Sequence, residues 1–331
     1  MKKKHIVRLF TGLLVLALVL PVLGGCGGGG SKYKIGISQI VTHPALNATR
    51  QGIIDGMTEA GYIEGEDVDY DYQTSEGDMT LVASIAQKFV SDKVDAIVSI
   101  ATPDSQASVQ AAQGSAIPVV FSAVTDPVGA GLVSDWASHT DENVTGVSDM
   151  IVVDDDVKII QQIIPGVAKI GTIYNAGESN SVFLATKLKE ACDSRGIEVV
   201  EATVSTSADV LSAAQSLVGK VDAIWVGTDN TVVSGLEALI KVCEDNKIPF
   251  FPSDDPSIER GGIAAYGFDY YDLGFQTGQM LARVLKAKGA SAIAVEKGKV
   301  ISLSVNTAAA ERMGVTIPQE IVDNAKTKYD N

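Results

Sequence analysis

The stretch "KVDAIVSIATPDS" (Lys93–Ser105) is answered 127 positions later by "KVDAIWVGTDNTV" (Lys220–Val232). Each copy runs KVDAI, then a short apolar segment, then a Thr/Asp-rich turn. The flanks repeat in the same order. "KIGISQ" (Lys34–Gln39) matches "KIGTIYN" (Lys169–Asn175), and "AIPVVFS" (Ala116–Ser122) matches "KIPFFPS" (Lys247–Ser253). Solenoid repeats recur every 20–50 residues or so, whereas a period of about 130 is the size of one domain. The chain therefore reads as two similar domains, with the KVDAI copies as corresponding strands.

Working outward, apolar runs alternate with amphipathic ones. In the first half "YKIGISQI", "DVDYDYQT", "VDAIVSIA" and "IPVVFSAV" read as strands. "PALNATRQGIIDGMTEAGY" (closed by Gly61), "DMTLVASIAQKFVSD" and "PDSQASVQAAQ" read as the helices between them. The second half repeats this order from "AKIGTIYN" to "IPFFPS". Strands that are continuous apolar runs, each followed by a helix, belong to parallel sheets built of βαβ units. The fold class expected is α/β, with two doubly wound, Rossmann-like domains.

The tail is too short for a third domain: a helix "YDLGFQTGQMLARVLKAKG", a strand "KVISLSVN" and a short helix "PQEIVDNAKTK". We read it as re-entering the first domain and then returning to the second. The domains are then 33–148 plus 270–303 and 149–269 plus 304–331, with passages near Gly146–Asp156 and Gly267–Asp269 and a third after residue 303. Several passages make a hinge, and two domains on a hinge make a cleft that closes on a ligand.

The first 25 residues read as a leader. Lys2, Lys3, Lys4 and Arg8 precede the apolar "LFTGLLVLALVL", which is too short to span a bilayer comfortably. "LGGC" (Leu23–Cys26) then looks like a lipobox, with Cys26 as the lipidated residue and residues 26–32 as a Gly-rich tether. The expected location is outside the cell membrane, anchored by lipid. Losing the leader's four positive charges takes the formal net charge from −15 to −19. Such a chain repels phosphate backbones, so no nucleic-acid partner is expected. Cys192 and Cys243 sit in helix-like segments without metal-site spacing, and whether they pair is open.

In open parallel sheets the working surface lies beyond the carboxyl ends of the strands. The segments there are Gln39–His43, Thr102–Asp104, Ser122–Asp126, Asn175–Ser181, Thr228–Asn230, Ser253–Asp255 and Gly267–Tyr271, rich in short polar side chains. Chemistry is undersupplied. Beyond the leader only His43 and His139 occur, and there is no GxSxG, HExxH, CxxC, P-loop or strand-linked GxGxxG. No enzyme activity, metal or cofactor is expected, and "VVDDDVKII" (Val152–Ile160) reads as a helix start capped by Asp154. "NAGESNSVF" (Asn175–Phe183) opens a helix. Its Asn180–Val182 amides, with the Asn180 and Ser181 side chains, either hold a carboxylate or are served by a Ser179 or Asn180 cap. Asp126, Asp229 and Asp269 suit an ammonium group, or act as turn and cap residues. Amides for an anion and carboxylates for a cation fit a zwitterion, an amino acid above all.

Read in order, "IVTHPALNATRQGIIDGM", "GYIEGEDV", "ATPDSQAS", "VVFSAVTDPVGAGLV", "YNAGESNSV", "GTDNTVVSGLEALIKVCEDNKIPFFPSDD" and "YGFDYYDLGFQTGQMLARVL" resemble the tryptophan-binding substrate-binding lipoproteins of ABC transporters. The resemblance spans the chain beyond the leader. It implies a type I periplasmic-binding fold, hinge closure, and delivery of an amino acid, aromatic in this family, to a permease and its ATPase by a monomer. By motif, Asn175, Glu178, Asn180, Ser181, Asp229 and Asn230 would hold the ligand's head. Thr102, Ser122, Thr125 and Asp126 would close from the first domain, and Asp269 would lie beside the hinge. A branched-chain amino acid, nucleoside or sugar ligand, or a ligand-sensing co-receptor role, are the alternatives.

Overall fold

The computed structural model describes residues 32–137 and 143–331; Cys26, the leader and His139 lie outside them. The first half runs β1 (Tyr33–Gln39), α1 (Pro44–Glu59), β2 (Val68–Thr74), α2 (Met79–Ser91), β3 (Ala96–Ile100), α3 (Thr102–Ala112), β4 (Val119–Ser122) and β5 (Val144–Ser148). Next come α4 (Val153–Ile163), β6 (Lys169–Asn175), α5 (Ser179–Asp193), β7 (Glu198–Val204), α6 (Val210–Leu217), β8 (Ala223–Val226), α7 (Asn230–Ser234), α8 (Leu236–Asn246) and β9 (Phe250–Pro252). The chain ends with α9 (Asp255–Arg260), β10 (Ala264–Phe268), α10 (Tyr270–Ala287), β11 (Glu296–Lys297), β12 (Ile301–Asn306), α11 (Thr307–Arg312), α12 (Gln319–Asn324) and β13 (Thr327–Tyr329).

The sequence echoes fall on matching strands. One parallel sheet has the order β2-β1-β3-β4-β5-β11, and the other has β7-β6-β8-β9. The first four strands of each follow the same order, so KIGISQ and KIGTIYN are the corresponding strands β1 and β6, while KVDAI leads into β3 and β8, their neighbours in each sheet. The aspartate of KVDAI explains why the motif occurs twice. Asp95 Oδ2 accepts from Lys34 N at 2.7 Å, and Asp95 N donates to Lys34 O at 2.7 Å. Asp222 does the same in the other sheet, accepting from Ala168 N and Lys169 N at 2.8 Å and donating to Lys169 O at 2.9 Å. Each copy thus pins the start of its neighbouring strand and sets the register. Between the sheets and their helices lie fully buried side chains such as Ile35, Ile37, Val98, Ile170, Trp225 and Phe250, each contributing roughly 1.5–3 kcal/mol.

Three elements depart from the sequence reading. β5 occupies part of the segment taken for the first passage, and all five of its residues are buried. A third sheet, β10-β12-β13, is mixed rather than parallel: β12 runs antiparallel to β10 from Ile301 to Val305. β12 pairs with β10 from its first residue, Ile301. Helix α4 also differs from expectation. Its N-cap is Val152, and Asp154 does not cap it but pairs with Arg195 at 2.7 Å and Lys158 at 3.1 Å. Asp156 instead turns inward and accepts from Trp225 Nε1 at 3.1 Å and Ser253 Oγ at 2.9 Å. Cys192 and Cys243 are buried and free.

Helix α10 returns to the first half and packs along α1 and against β4 and β5. Gly52 and Gly56 on α1 face Gly274 and Gly278 on α10. A Cβ at Gly274 would stand 2.0 Å from Thr49 O, and one at Gly278 would stand 2.2 Å from Ile53 O. The two backbones touch, which only glycine permits. The N-termini of both helices consequently project from the same edge of the first sheet.

Candidate functional site

The carboxyl ends of the strands from both parallel sheets converge on a small, narrow cavity. From the first half, His43 and the first turn of α1 (Ala45, Leu46) line it, with Ala123 and Thr125 after β4 and Asp149 after β5. From the second half come Asn180 at the start of α5, Thr228–Asn230 after β8, Val233 and Asp254. Tyr270, the first residue of α10, closes one side. Ala123 holds φ +55°, a conformation non-glycine residues adopt at a cost, and it bends the β4 loop over the cavity. A larger, open groove of about 1,080 Å³ shares His43, Asn230 and Val233 with this cavity and extends outward past Glu178, Glu237 and Arg260.

Three buried carboxylates face the cavity. Asp149 accepts from Thr125 Oγ1 at 3.2 Å and from Tyr270 Oη at 3.0 Å. Burial raises its carboxyl to about 6 against the pull of those hydroxyls. Asp229 accepts from Asn175 N at 2.6 Å and Val232 N at 2.7 Å. Burial, then the nearby Glu178 charge, lift it to about 7. Asp254 accepts from Ser257 N at 2.9 Å and Ser257 Oγ at 2.7 Å, and burial raises it too. None of the residues lining the cavity is a lysine or arginine. The cluster is therefore a strong attractor for a cation brought in by a ligand.

The anionic end has donors as well. Helix α1 has no side-chain cap at His43, carries Pro44 at its start and has no acid in its first turn. The amides of Ala45 and Leu46 are first-turn N–H groups without an intrahelical partner, and the helix dipole favours negative charge there. Helix α5 likewise starts at Glu178 without a side-chain cap, so neither Ser179 nor Asn180 caps it. Asn180 Nδ2 donates to Thr228 O at 2.8 Å, leaving Asn180 Oδ1 buried and unpartnered.

The residues singled out from sequence divide by position. Thr125, Asn180, Asp229 and Asn230 line the cavity, and Asn175, Glu178 and Asn230 line the outer groove. Glu178 is occupied with α7: it accepts from Asn230 Nδ2 at 2.6 Å, Asn230 N at 3.3 Å, Thr231 Oγ1 at 2.7 Å and Thr231 N at 3.1 Å. Ser181 lies behind the cavity among the residues around Trp225. Ser122 Oγ is buried against Thr277 Oγ1 at 2.8 Å, and Thr102 is buried in the first turn of α3. Two carboxylates turn away from the cavity. Asp126 accepts from Gly129 N at 3.0 Å, and Asp269 caps α10 by accepting from Tyr271 N and Asp272 N. His43, Thr228, Asp254 and Tyr270 fall inside the strand-end segments but were not named singly. Asp149, which the sequence reading places in a passage between domains, directly follows β5, where the strand-end rule points.

Residues 34–328 match the family model described as ABC transporter substrate binding protein. The chain belongs to the ABC transporter substrate-binding protein family. Proteins of this family are extracytoplasmic binding proteins rather than enzymes. This substrate-binding protein is 41% identical over 264 residues to the tyrosine-binding protein of Clostridioides difficile, covering 80% of this chain and 76% of that one. It superposes with a TM-score of 0.86 on an ABC domain from Streptococcus pneumoniae in complex with L-Trp, at 35% identity, covering 90% of this chain and all of that one. A ligand-free, open substrate-binding protein from Clostridium difficile gives 0.67 at 37% identity over the same 90% of this chain and all of its own. Thr125 Oγ1 lies 3.4 Å from Thr228 Oγ1 in the cavity wall.

Proposed function

We propose that this chain is a lipid-anchored receptor of an ABC importer that captures a free aromatic amino acid in the cleft and presents it to the permease and ATPase. One observation carries the reading. Asp149, Asp229 and Asp254 crowd one small cavity that the uncapped start of α1 also lines. A zwitterion satisfies both demands, its ammonium lowering the cost of buried carboxylates and its carboxylate taking first-turn amides. Relatives named for tyrosine binding and solved with L-Trp favour an aromatic side chain. The division into two domains, 33–148 plus 270–303 and 149–269 plus 304–331, that close on the ligand belongs to the same reading, as do Cys26 as the lipidated residue and a monomeric state.

A thermal-shift screen against L-amino acids, nucleosides and sugars tests the ligand. A ligand at about 100 times its Kd adds roughly 2.7 kcal/mol. A shift with Trp, Tyr or Phe supports the reading, and a shift confined to sugars or nucleosides overturns it. The anchor is tested by Cys26→Ser, which should move the protein from the membrane fraction to the soluble one.

A further inference from the structure

The two ends of a zwitterion are not served alike by this cleft. On the cationic side, each oxygen of Asp149, Asp229 and Asp254 accepts one of the hydrogen bonds given above. A carboxylate oxygen can accept twice, so each keeps capacity for a further N–H donor. Asn180 adds to the excess of acceptors. Thr228 O can only accept, so the amide must turn Nδ2 toward it, and Oδ1 is the atom left over.

On the anionic side, the side-chain donors of the wall are already committed. Tyr270 Oη and Thr125 Oγ1 both donate to Asp149, which leaves the Thr228 hydroxyl as the donor of its contact with Thr125. Asn180 Nδ2 is held by Thr228 O, and Asn230 Nδ2 by Glu178 Oε2 at 2.6 Å. The wall has no lysine or arginine, and burial keeps His43 neutral, its imidazole pushed down to about 4. In the outer groove Arg260 is paired with Glu237 at 2.7 Å, and Glu76, Asp78 and Glu178 line the same groove. What remains for an anion is backbone N–H at the uncapped starts of α1 and α5. A charge at a helix terminus gains about thirtyfold in affinity at most.

We infer that the cleft also takes aromatic monoamines, ligands that keep the ring and the ammonium of an aromatic amino acid and lack its carboxylate. The inference rests on the reading of the cleft as an aromatic amino-acid site and adds a second ligand class to it. Losing the carboxylate gives up the helix-start contacts, but it also removes the repulsion of that group by the buried acids, and the two effects offset. Losing the ammonium instead leaves those acids without a counter-charge and brings another anion among them.

Isothermal titration at pH 8, above the values to which burial lifts Asp149 and Asp229, tests it. One series is Trp, tryptamine and indole-3-propionate; the other is Tyr, tyramine and 3-(4-hydroxyphenyl)propionate. In the series whose amino acid binds more tightly, the amine should displace the amino acid and bind within about tenfold of it, and the acid should be weaker than the amine by about tenfold or more. Asp254→Asn, which keeps a capping oxygen for α9, should weaken the amine by more than the amino acid, because only the amino acid gains from the reduced repulsion. An amine outside that margin, an amine that binds without displacing the amino acid, or an acid closer to the amine than that overturns the inference and leaves the aromatic reading intact. So does an amine no more sensitive than the amino acid to Asp254→Asn. Should that variant not fold, the wild-type series still decides. A wild type that binds neither amino acid nor amine defeats the reading of the cleft first, which is a distinguishable result.

Discussion

Replacing Asp149 by Asn should make the empty protein more stable and a poorer receptor at once. In the folded state burial lifts this carboxyl to about 6, against about 3.9 unfolded. The stability it contributes is complete below pH 3.9 and is lost as pH rises through 6. By pH 8 the ionised carboxylate therefore costs about 3 kcal/mol. Asn has the same shape, and the Thr125 and Tyr270 hydroxyls can each donate or accept. One imperfect bond returns roughly 1 kcal/mol of that gain. The net expectation is a gain of about 1–2 kcal/mol at pH 8, a rise in Tm of roughly 2–5 °C, which vanishes near pH 4. Binding should move the other way. Removing one member of a buried charge pair costs about 2–5 kcal/mol, so the ligand-induced shift should largely disappear. The assay is thermal unfolding of both proteins at pH 4.5 and 8, with and without the best ligand from the screen. General damage lowers both readouts, so a lower Tm for empty Asp149→Asn at pH 8 together with an unaltered ligand shift would refute the argument.

In an isolated helix Gly274→Ala would stabilise by about 1 kcal/mol. Here its Cβ meets Thr49 O at 2.0 Å, so urea unfolding should show a net loss of about 1–3 kcal/mol; a gain would mean the helices can separate without cost. Glu178→Gln removes the charge that helps raise Asp229, so a carbon-13 titration should find the Asp229 carboxyl below its present value of about 7. An unmoved value would leave burial as its only cause. Besides Asp149, the Asp104, Asp156 and Asp229 carboxyls are each lifted by burial to about 7. Their stabilisation is present below about 3.9 and lost as pH climbs through 7. His43 opposes them, losing its contribution as pH falls from 6.5 toward 4, but it is one group against four. The empty protein should thus melt higher at pH 5.5 than at pH 8, and a Tm that rises from pH 5.5 to pH 8 would contradict the burial argument.

The repeated strands were legible because burial on both faces writes them as unbroken apolar runs. KVDAI added a polar residue at a fixed place, and the structure gives that residue a register-setting task in both sheets. β13 and β10 were not legible. They are three and five residues long, lie in a small mixed sheet, and carry no helix-then-strand rhythm. β5, "VTGVS", hides its burial behind Thr, Gly and Ser. The same limit governs the cleft. Strand ends located the loops, but a post-strand aspartate reads alike whether it bonds its own turn, as Asp126 does, or bonds distant side chains, as Asp149 does with Tyr270. That choice depends on neighbours far away in sequence: Tyr270 for Asp149, and the α7 amides for Glu178.

The glycine-to-glycine crossing of α1 and α10 also bears on the order in which the chain acquires structure. The partner surface of α1 lies more than two hundred residues downstream, in Tyr270–Ala287. The β6–β9 sheet, by contrast, is contiguous in sequence. Loop-closure entropy delays such distant pairings. During synthesis the earlier-made half consequently waits with an apolar helix face uncovered, while the later-made sheet can complete itself first. The nascent chain finishes its beginning last, and that interval is when it most needs shielding from aggregation.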